Sequence, residues 1–189
     1  VKDSKDVRGV IKEYLHVEKN SSNRYEWFKN EASKDNNLFQ VEKMSLVDEN
    51  KKVCTGSIRN DSNIELVIEA TAKEISPGLT IGYAVYTEDN QLLYWSYQSD
   101  EDETKSFKIN EPGKLVLSTK IPKHLFNEGS YRIEIIGGVH NSFWLFEPNK
   151  NNPEINFNVQ GGLSTSPYWT TRRPGLLAPV IHWDVTTKK

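Results

Sequence analysis

The 189-residue chain holds one cysteine, one methionine and no long apolar run, and each scarcity removes a class of protein. Cys54 alone cannot close an intramolecular disulfide, and four scattered histidines give no zinc-ligand spacing, so neither a disulfide scaffold nor a metal site is expected. A mean hydropathy of -0.65 speaks against a membrane span, and the chain reads as soluble. Lys and Arg number 24 against 26 Asp and Glu, a formal net charge of -2. Such a balance supplies no positive field, so neither nucleic acid nor anionic lipid is an expected partner. The start, Val1-Lys2-Asp3-Ser4, has neither a basic nor an apolar leader region, and no export signal is expected. Because it begins at Val rather than Met, the chain is expected to be a piece of a longer protein. The glycine-rich phosphate loop, the Gly-x-Ser-x-Gly elbow and His-Glu-x-x-His are all missing, so no cofactor and no catalytic residue is expected.

What is present falls into three stretches. In residues 1–37, Val7, Val10, Ile11, Tyr14 and Leu15 recur at helical spacing and predict one short amphipathic helix. A polar linker rich in Asn, Ser, Lys and Asp follows, broken only by Tyr25, Trp27 and Phe28. From residue 38 to 160 the period changes to two, with turn signals every eight to twelve residues or so, the pattern of an all-β, immunoglobulin-like antiparallel sandwich. Strands are expected at 39–46, 64–70, 79–86, 92–97, 114–121, 131–136, 143–146 and 155–159, and the pair around Thr87-Glu88-Asp89-Asn90 is the clearest hairpin. Ile64, Leu66, Ile68 and Ala70 share a core face, while Tyr131, Ile133 and Ile135 alternate with Arg132 and Glu134. The run from Leu125 to Tyr131 matches the approach to a tyrosine corner. After Gly161-Gly162 comes a tail, 161–189, whose Leu176, Leu177, Val180, Ile181 and Trp183 are too apolar to be left in water. They are expected to cover this sandwich or a second copy of it.

Five Trp and eight Tyr, several beside amide or charged neighbours, point to a ligand that stacks on flat rings. Sugars fit, because their C–H faces lie on aromatic rings while amide, carboxylate, guanidinium and imidazole groups satisfy their hydroxyls. Two clusters qualify: Tyr94, Trp95 and Tyr97 on one strand, and His140-Asn141-Ser142-Phe143-Trp144 in a loop. Strict alternation places Leu93, Trp95 and Tyr97 on one face and Leu92 and Tyr94 on the other, so some of these rings belong to the core. Arg132 is a candidate polar partner, with an exposed ion pair to Glu134 as its competing reading. The run Asp100-Glu101-Asp102-Glu103 reads as a solvated acidic loop rather than a calcium site. Candidate carboxylate pairs for glycoside hydrolysis, Glu65 with Glu69 or Glu88 with Asp89, are better explained by strand edges and turns.

The order of these features resembles one family. Val10-Ile11-x-x-Tyr14-Leu15 is similar to the closing helix of the ATPase subunit of polysaccharide-exporting ABC transporters. The run from Phe39 to Val159 resembles the C-terminal domain of Wzt-type subunits. It does so through Val47-Asp48-Glu49-Asn50, Ile81-Gly82-Tyr83-x-Val85-Tyr86-x-x-Asp89, Gly129-x-Tyr131-x-Ile133 and Ile155-x-Phe157-x-Val159. The tail from Tyr168-Trp169 to Trp183 is similar to the ending of such domains. The resemblance implies a sandwich that binds finished O-antigen polysaccharide near its non-reducing end without acting on it. It also implies a homodimer that exchanges the C-terminal strand through Leu176 to Trp183, and attachment to the membrane-spanning transporter subunit at the cytoplasmic face of the inner membrane. It transfers no sugar-contacting residue. Tyr94, Trp95, Tyr97, Arg132, His140, Asn141 and Trp144 are candidates on their own chemistry. A protein-interaction module on the same scaffold, without glycan binding, is the alternative.

Overall fold

Apolar side chains at every second position can be buried only on one face of a sheet, so two such sheets must close on each other. The computed structural model describes residues 24–30, 33, 36–101, 109–168 and 172–187, and shows that closure. Its strands are β1 (Glu26–Phe28), β2 (Phe39–Asp48), β3 (Ile64–Ala72), β4 (Leu79–Thr87), β5 (Leu92–Tyr97), β6 (Gly113–Ile121), β7 (Gly129–Val139), β8 (Phe143–Phe146) and β9 (Glu154–Val159). One sheet runs β1-β2-β3-β6 and the other β5-β4-β7-β8, with β9 also on β7; every named pairing is antiparallel. The expected immunoglobulin-like sandwich is therefore the fold. No helix occurs among the described residues, and the helix expected over residues 7–15 lies outside them. Within that same range no helix is long and apolar enough to cross a membrane.

The core forms where the alternation says it should. Ile64, Leu66, Ile68 and Ala70 of β3 face Ile81, Tyr83 and Val85 of β4 and Tyr131, Ile133 and Ile135 of β7 in one buried cluster. Each fully buried Ile or Leu stabilises the fold by about 1.5–3 kcal/mol. At one end Phe126, Tyr131 and Phe157 pack as a triad with centroids 4.7–5.6 Å apart. The Tyr131 hydroxyl donates to the Asn127 carbonyl at 2.9 Å, which is the expected tyrosine corner.

Two features lay outside the periodic signal. Strand β1 comes from the stretch read as polar linker: Tyr25 is buried, its hydroxyl donates to the Gly56 carbonyl, and the three residues after it pair with β2. Asn127, fully buried, acts as a staple for the tail. Its Nδ2 donates to the carbonyls of Arg173 (2.6 Å) and Gly175 (2.9 Å), and its Oδ1 accepts the Arg173 N–H (3.2 Å). The Ala178 N–H donates to the Leu125 carbonyl at 3.0 Å and Ala178 is buried, so the tail is fixed on the sandwich up to that residue. Beyond it Val180, Ile181 and Trp183 are exposed, Trp183 at 82%, and residues 179–187 form no strand within the single chain.

Replacing Asn127 by Ala leaves two carbonyls and two N–H groups, those of Arg173 and Glu128, without their side-chain partner, a loss of about 2–3 kcal/mol. A urea melt is expected to register that loss, and limited proteolysis is expected to cut within residues 172–187 faster than in the parent chain.

Candidate functional site

Strands β4 and β7 turn one face to the core, and their other face carries a second, smaller buried cluster of Ala84, Tyr86 and Ile136. Outward on β4 stand Thr80, Gly82, Ala84 and Tyr86; outward on β7, opposite them, stand Gly138, Ile136, Glu134 and Arg132. Small residues make a floor, and larger rings on the flanking strands β5 and β8 lean over it. Trp95 lies opposite Ala84, Tyr97 opposite Gly82, and Trp144 opposite Gly138. The glycines are required by close approach: a Cβ on Gly82 comes within 2.8 Å of the Tyr97 ring, and one on Gly138 within 3.0 Å of the Trp144 Cα.

Two strands separate β5 from β8, about 14 Å at the usual interstrand spacing. The indoles of Trp95 and Trp144 nevertheless meet, with centroids 6.1 Å apart and planes at 81°. Tyr97 stands at 88° to Trp95 with centroids 6.4 Å apart. Three rings thus offer faces in different directions around one opening, and both indoles are uncovered, Trp95 at 41% and Trp144 at 48%. The resulting cleft of about 620 Å³ is completed by His140, Asn141, Ser142 and Phe143 from the β7–β8 turn and by Ser99 and Asp100 from the chain leaving β5.

Both rims are held by local chemistry. Asn141 adopts φ +57°, a left-handed conformation suited to Asn, and the Ser142 N–H closes the turn on the Val139 carbonyl at 2.9 Å. On the other rim Asp100 Oδ2 accepts the Tyr97 N–H at 2.8 Å and the Ser96 hydroxyl at 3.0 Å, ending β5 in a fixed geometry. Gln98 ties the same segment to β4: its Oε1 accepts the Ile81 N–H (2.7 Å) and its Nε2 donates to the Leu79 carbonyl (3.2 Å). Burial, and next the charge of Asp100, push the Tyr97 phenol above its ordinary range, so it meets a ligand as a neutral hydroxyl.

Five of the candidate residues, Trp95, Tyr97, His140, Asn141 and Trp144, line this one cleft, although they come from two distant segments. Tyr94 and Arg132 do not. The register places Tyr94 opposite Val85 and Leu92 opposite Tyr86, so Leu93 is bulged out of the ladder. Strict alternation therefore fails within β5: Leu93 and Tyr94 both pack on the main core, Tyr94 edge-on to Tyr83 at 5.9 Å, while Leu92 joins the outer face.

Arg132 is consumed by structure. Its Nη1 donates to Glu134 and Glu154, both at 3.0 Å, and its Nη2 to the side-chain oxygens of Asn90 (2.8 Å) and Asn149 (2.9 Å). Its guanidinium lies 4.2 Å above the Tyr86 ring. Glu134, 1% exposed, also accepts the Asn149 N–H and an Asn152 amide proton at 3.0 Å. The exposed ion pair weighed for Arg132 is thus a half-buried clamp, with Glu134 at its buried centre, binding the 147–153 loop to the sheet. Burial, then the charge of Glu134, push the Tyr86 phenol up, and Arg132 opposes them.

Ser142 and Phe143, members of the second cluster, line the cleft as well, whereas Asp100, Ser99 and Thr80 were not singled out as sugar-binding residues from the sequence. Asp100 had a readable signal, an acidic side chain just past a strand and four residues from a serine. Of the acidic run Asp102 and Glu103, and also Trp169, lie outside the described residues.

No family model and no curated protein matches the chain. Among solved structures it is similar to the crystal structure of the C-terminal domain of Wzt, at 12% identity and a TM-score of 0.54, over 88% of this chain and 90% of that one. That likeness establishes the fold and agrees with the resemblance read from the motifs. A CARDB domain from Pyrococcus furiosus matches 67% of this chain and 97% of its own at 16% identity, but its TM-score of 0.36 is too low to carry an argument.

Removing one partner of a buried charged network costs about 3–5 kcal/mol, whereas an exposed ring contributes little to folding. Arg132→Ala is therefore expected to lower unfolding free energy by about 3 kcal/mol, and Trp144→Ala by less than about 1 kcal/mol, in matched urea titrations.

Proposed function

We propose that the domain is a non-catalytic carbohydrate-binding module that recognises O-antigen polysaccharide near its non-reducing end for export by an ABC transporter. The observation that carries the reading is the convergence of Trp95, Tyr97 and Trp144, with His140 and Asn141, on one open cleft. Water is a poor neighbour for three clustered rings, and a pyranose places its C–H face on one ring while an adjoining ring covers its edge. Asn141, Ser142, His140 and Asp100 stand where hydroxyls would emerge. Asp100 is the one carboxylate among the described lining residues, whereas glycoside hydrolysis in its usual form needs a pair. That supports binding rather than cleavage. The likeness in fold to the Wzt C-terminal domain supports the export setting, with the parent ATPase on the cytoplasmic face of the inner membrane and its membrane-spanning partner subunit beside it.

The tail extends the reading. Leu176 and Leu177 sit at its anchored part, and beyond them Val180, Ile181 and Trp183 stand in water. A second copy of the domain would cover them by exchange of this segment. The competing role, a protein-interaction module without glycan binding, rests on the same exposed residues.

Calorimetric titration with O-antigen from the source strain is expected to show selective binding, absent with an unrelated O-antigen. Trp95→Ala and Trp144→Ala are each expected to weaken it roughly tenfold while the fold is kept. A folded domain indifferent to both glycans sinks the reading and favours the interaction module. In sedimentation equilibrium the parent domain is expected to be a dimer and the Ile181→Asp, Trp183→Ala variant a monomer; a monomeric parent overturns the exchange.

A further inference from the structure

The cleft's charge restricts the class of sugar it can take. Among the described residues neither Lys nor Arg lines it, and the one carboxylate among them, Asp100, is followed by the exposed Glu101. The Tyr97 N–H and the Ser96 hydroxyl both hold Asp100 Oδ2, which orients the carboxylate and leaves Oδ1 to accept hydrogen bonds from a ligand. The aromatic faces add to this field: an indole or phenol ring is negative on its face, so it attracts cations and repels anions. His140, in the β7–β8 turn, is the one described lining side chain able to carry positive charge. The cation that sits on the same face of the sheet, Arg132, is committed to Glu134, Glu154, Asn90 and Asn149 outside the cleft.

From this we infer that the cleft selects uncharged or amino-bearing sugar units and rejects units carrying carboxylate or phosphate, with Asp100 as the specificity-determining side chain. The inference rests on the carbohydrate reading of the same cleft and adds the chemical class of its ligand. The Asp100 carboxylate accepts from sugar hydroxyls or an ammonium group, which neutral and amino sugars offer. An anionic substituent placed on the indoles meets the like charge of Asp100, and no Lys or Arg among the described lining residues answers it. Part of that rejection is electrostatic over several ångströms and is therefore weakened by salt.

The test is a glycan array carrying neutral, amino, uronate, sialylated and phosphorylated oligosaccharides, probed at pH 8 with the parent domain, Asp100→Asn and Ser142→Lys. Asn keeps an acceptor for the Tyr97 N–H, and circular dichroism checks that both variants fold. The expected result is that parent hits are confined to uncharged or amino-bearing glycans. A bound neutral oligosaccharide should bind at least tenfold more weakly once its primary hydroxyls are oxidised to carboxylates. That gap is expected to close to within threefold in Asp100→Asn, and to narrow in Ser142→Lys and at high salt. Parent binding of neutral and oxidised forms with equal affinity, unchanged by either variant, overturns the inference and leaves the carbohydrate reading standing. An array on which parent and both variants bind nothing overturns the carbohydrate reading, and this inference with it.

Discussion

Strand β7 is the constraint to which everything else is referenced. Its inward residues Tyr131, Ile133 and Ile135 fill the centre of the core, and its outward residues Arg132, Glu134, Ile136 and Gly138 floor the functional face. It pairs with β4 along one edge and with β9 and β8 in succession along the other. A slip of one residue would exchange the two faces, sending the isoleucines to water and the buried Glu134 into the core. Register is pinned at its start by the Tyr131–Asn127 corner. At its far end it is pinned by the bulge at Gly137 and Gly138, where the chain returns into β8.

The same strand explains why the face divides into a rigid half and an open half. Toward its beginning, Arg132 and Glu134 draw the 87–91 turn and the 147–153 loop onto the sheet through bonds to Asn90, Asn149 and Asn152. Toward its end the sheet carries glycine, and rings stand over empty floor. Polar groups that satisfy one another are poor ligands for anything else, whereas uncovered rings with a few oriented hydrogen-bonding groups are good ones. The candidate site and the clamp are thus consequences of one sheet with two differently furnished ends.

Most of the fold was legible because period-two alternation is a direct imprint of a half-buried sheet, as in Ile64–Ala70 and Tyr131–Ile135. What it could not convey is pairing order. Trp95 and Trp144 were visible as members of two separate clusters, but their meeting depends on the order β5-β4-β7-β8 and on Gly82, Ala84 and Gly138 leaving room between them. Bulges escape for a related reason: nothing in Leu92-Leu93-Tyr94 marks Leu93 as the residue that drops out of the ladder, and that single insertion sends Tyr94 to the core. Strand β1, three residues long, is too short to show a period, and its place is set by Tyr25 and by its partner β2. Arg132 was legible as an outward residue but not as a saturated one, since its partners Asn90, Asn149 and Glu154 come from three other segments.

The turn from β7 to β8 has a consequence for how such a domain changes over time. Its residues 140–142 touch solvent and the cleft, while the left-handed position at Asn141 and the close approach at Gly138 carry the geometry of the hairpin. Substitutions at His140 or Ser142 therefore rewrite the chemistry of the rim without disturbing an isoleucine of the core. A lineage whose ligand changes can follow it through a handful of tip residues, and the folding problem need not be solved again.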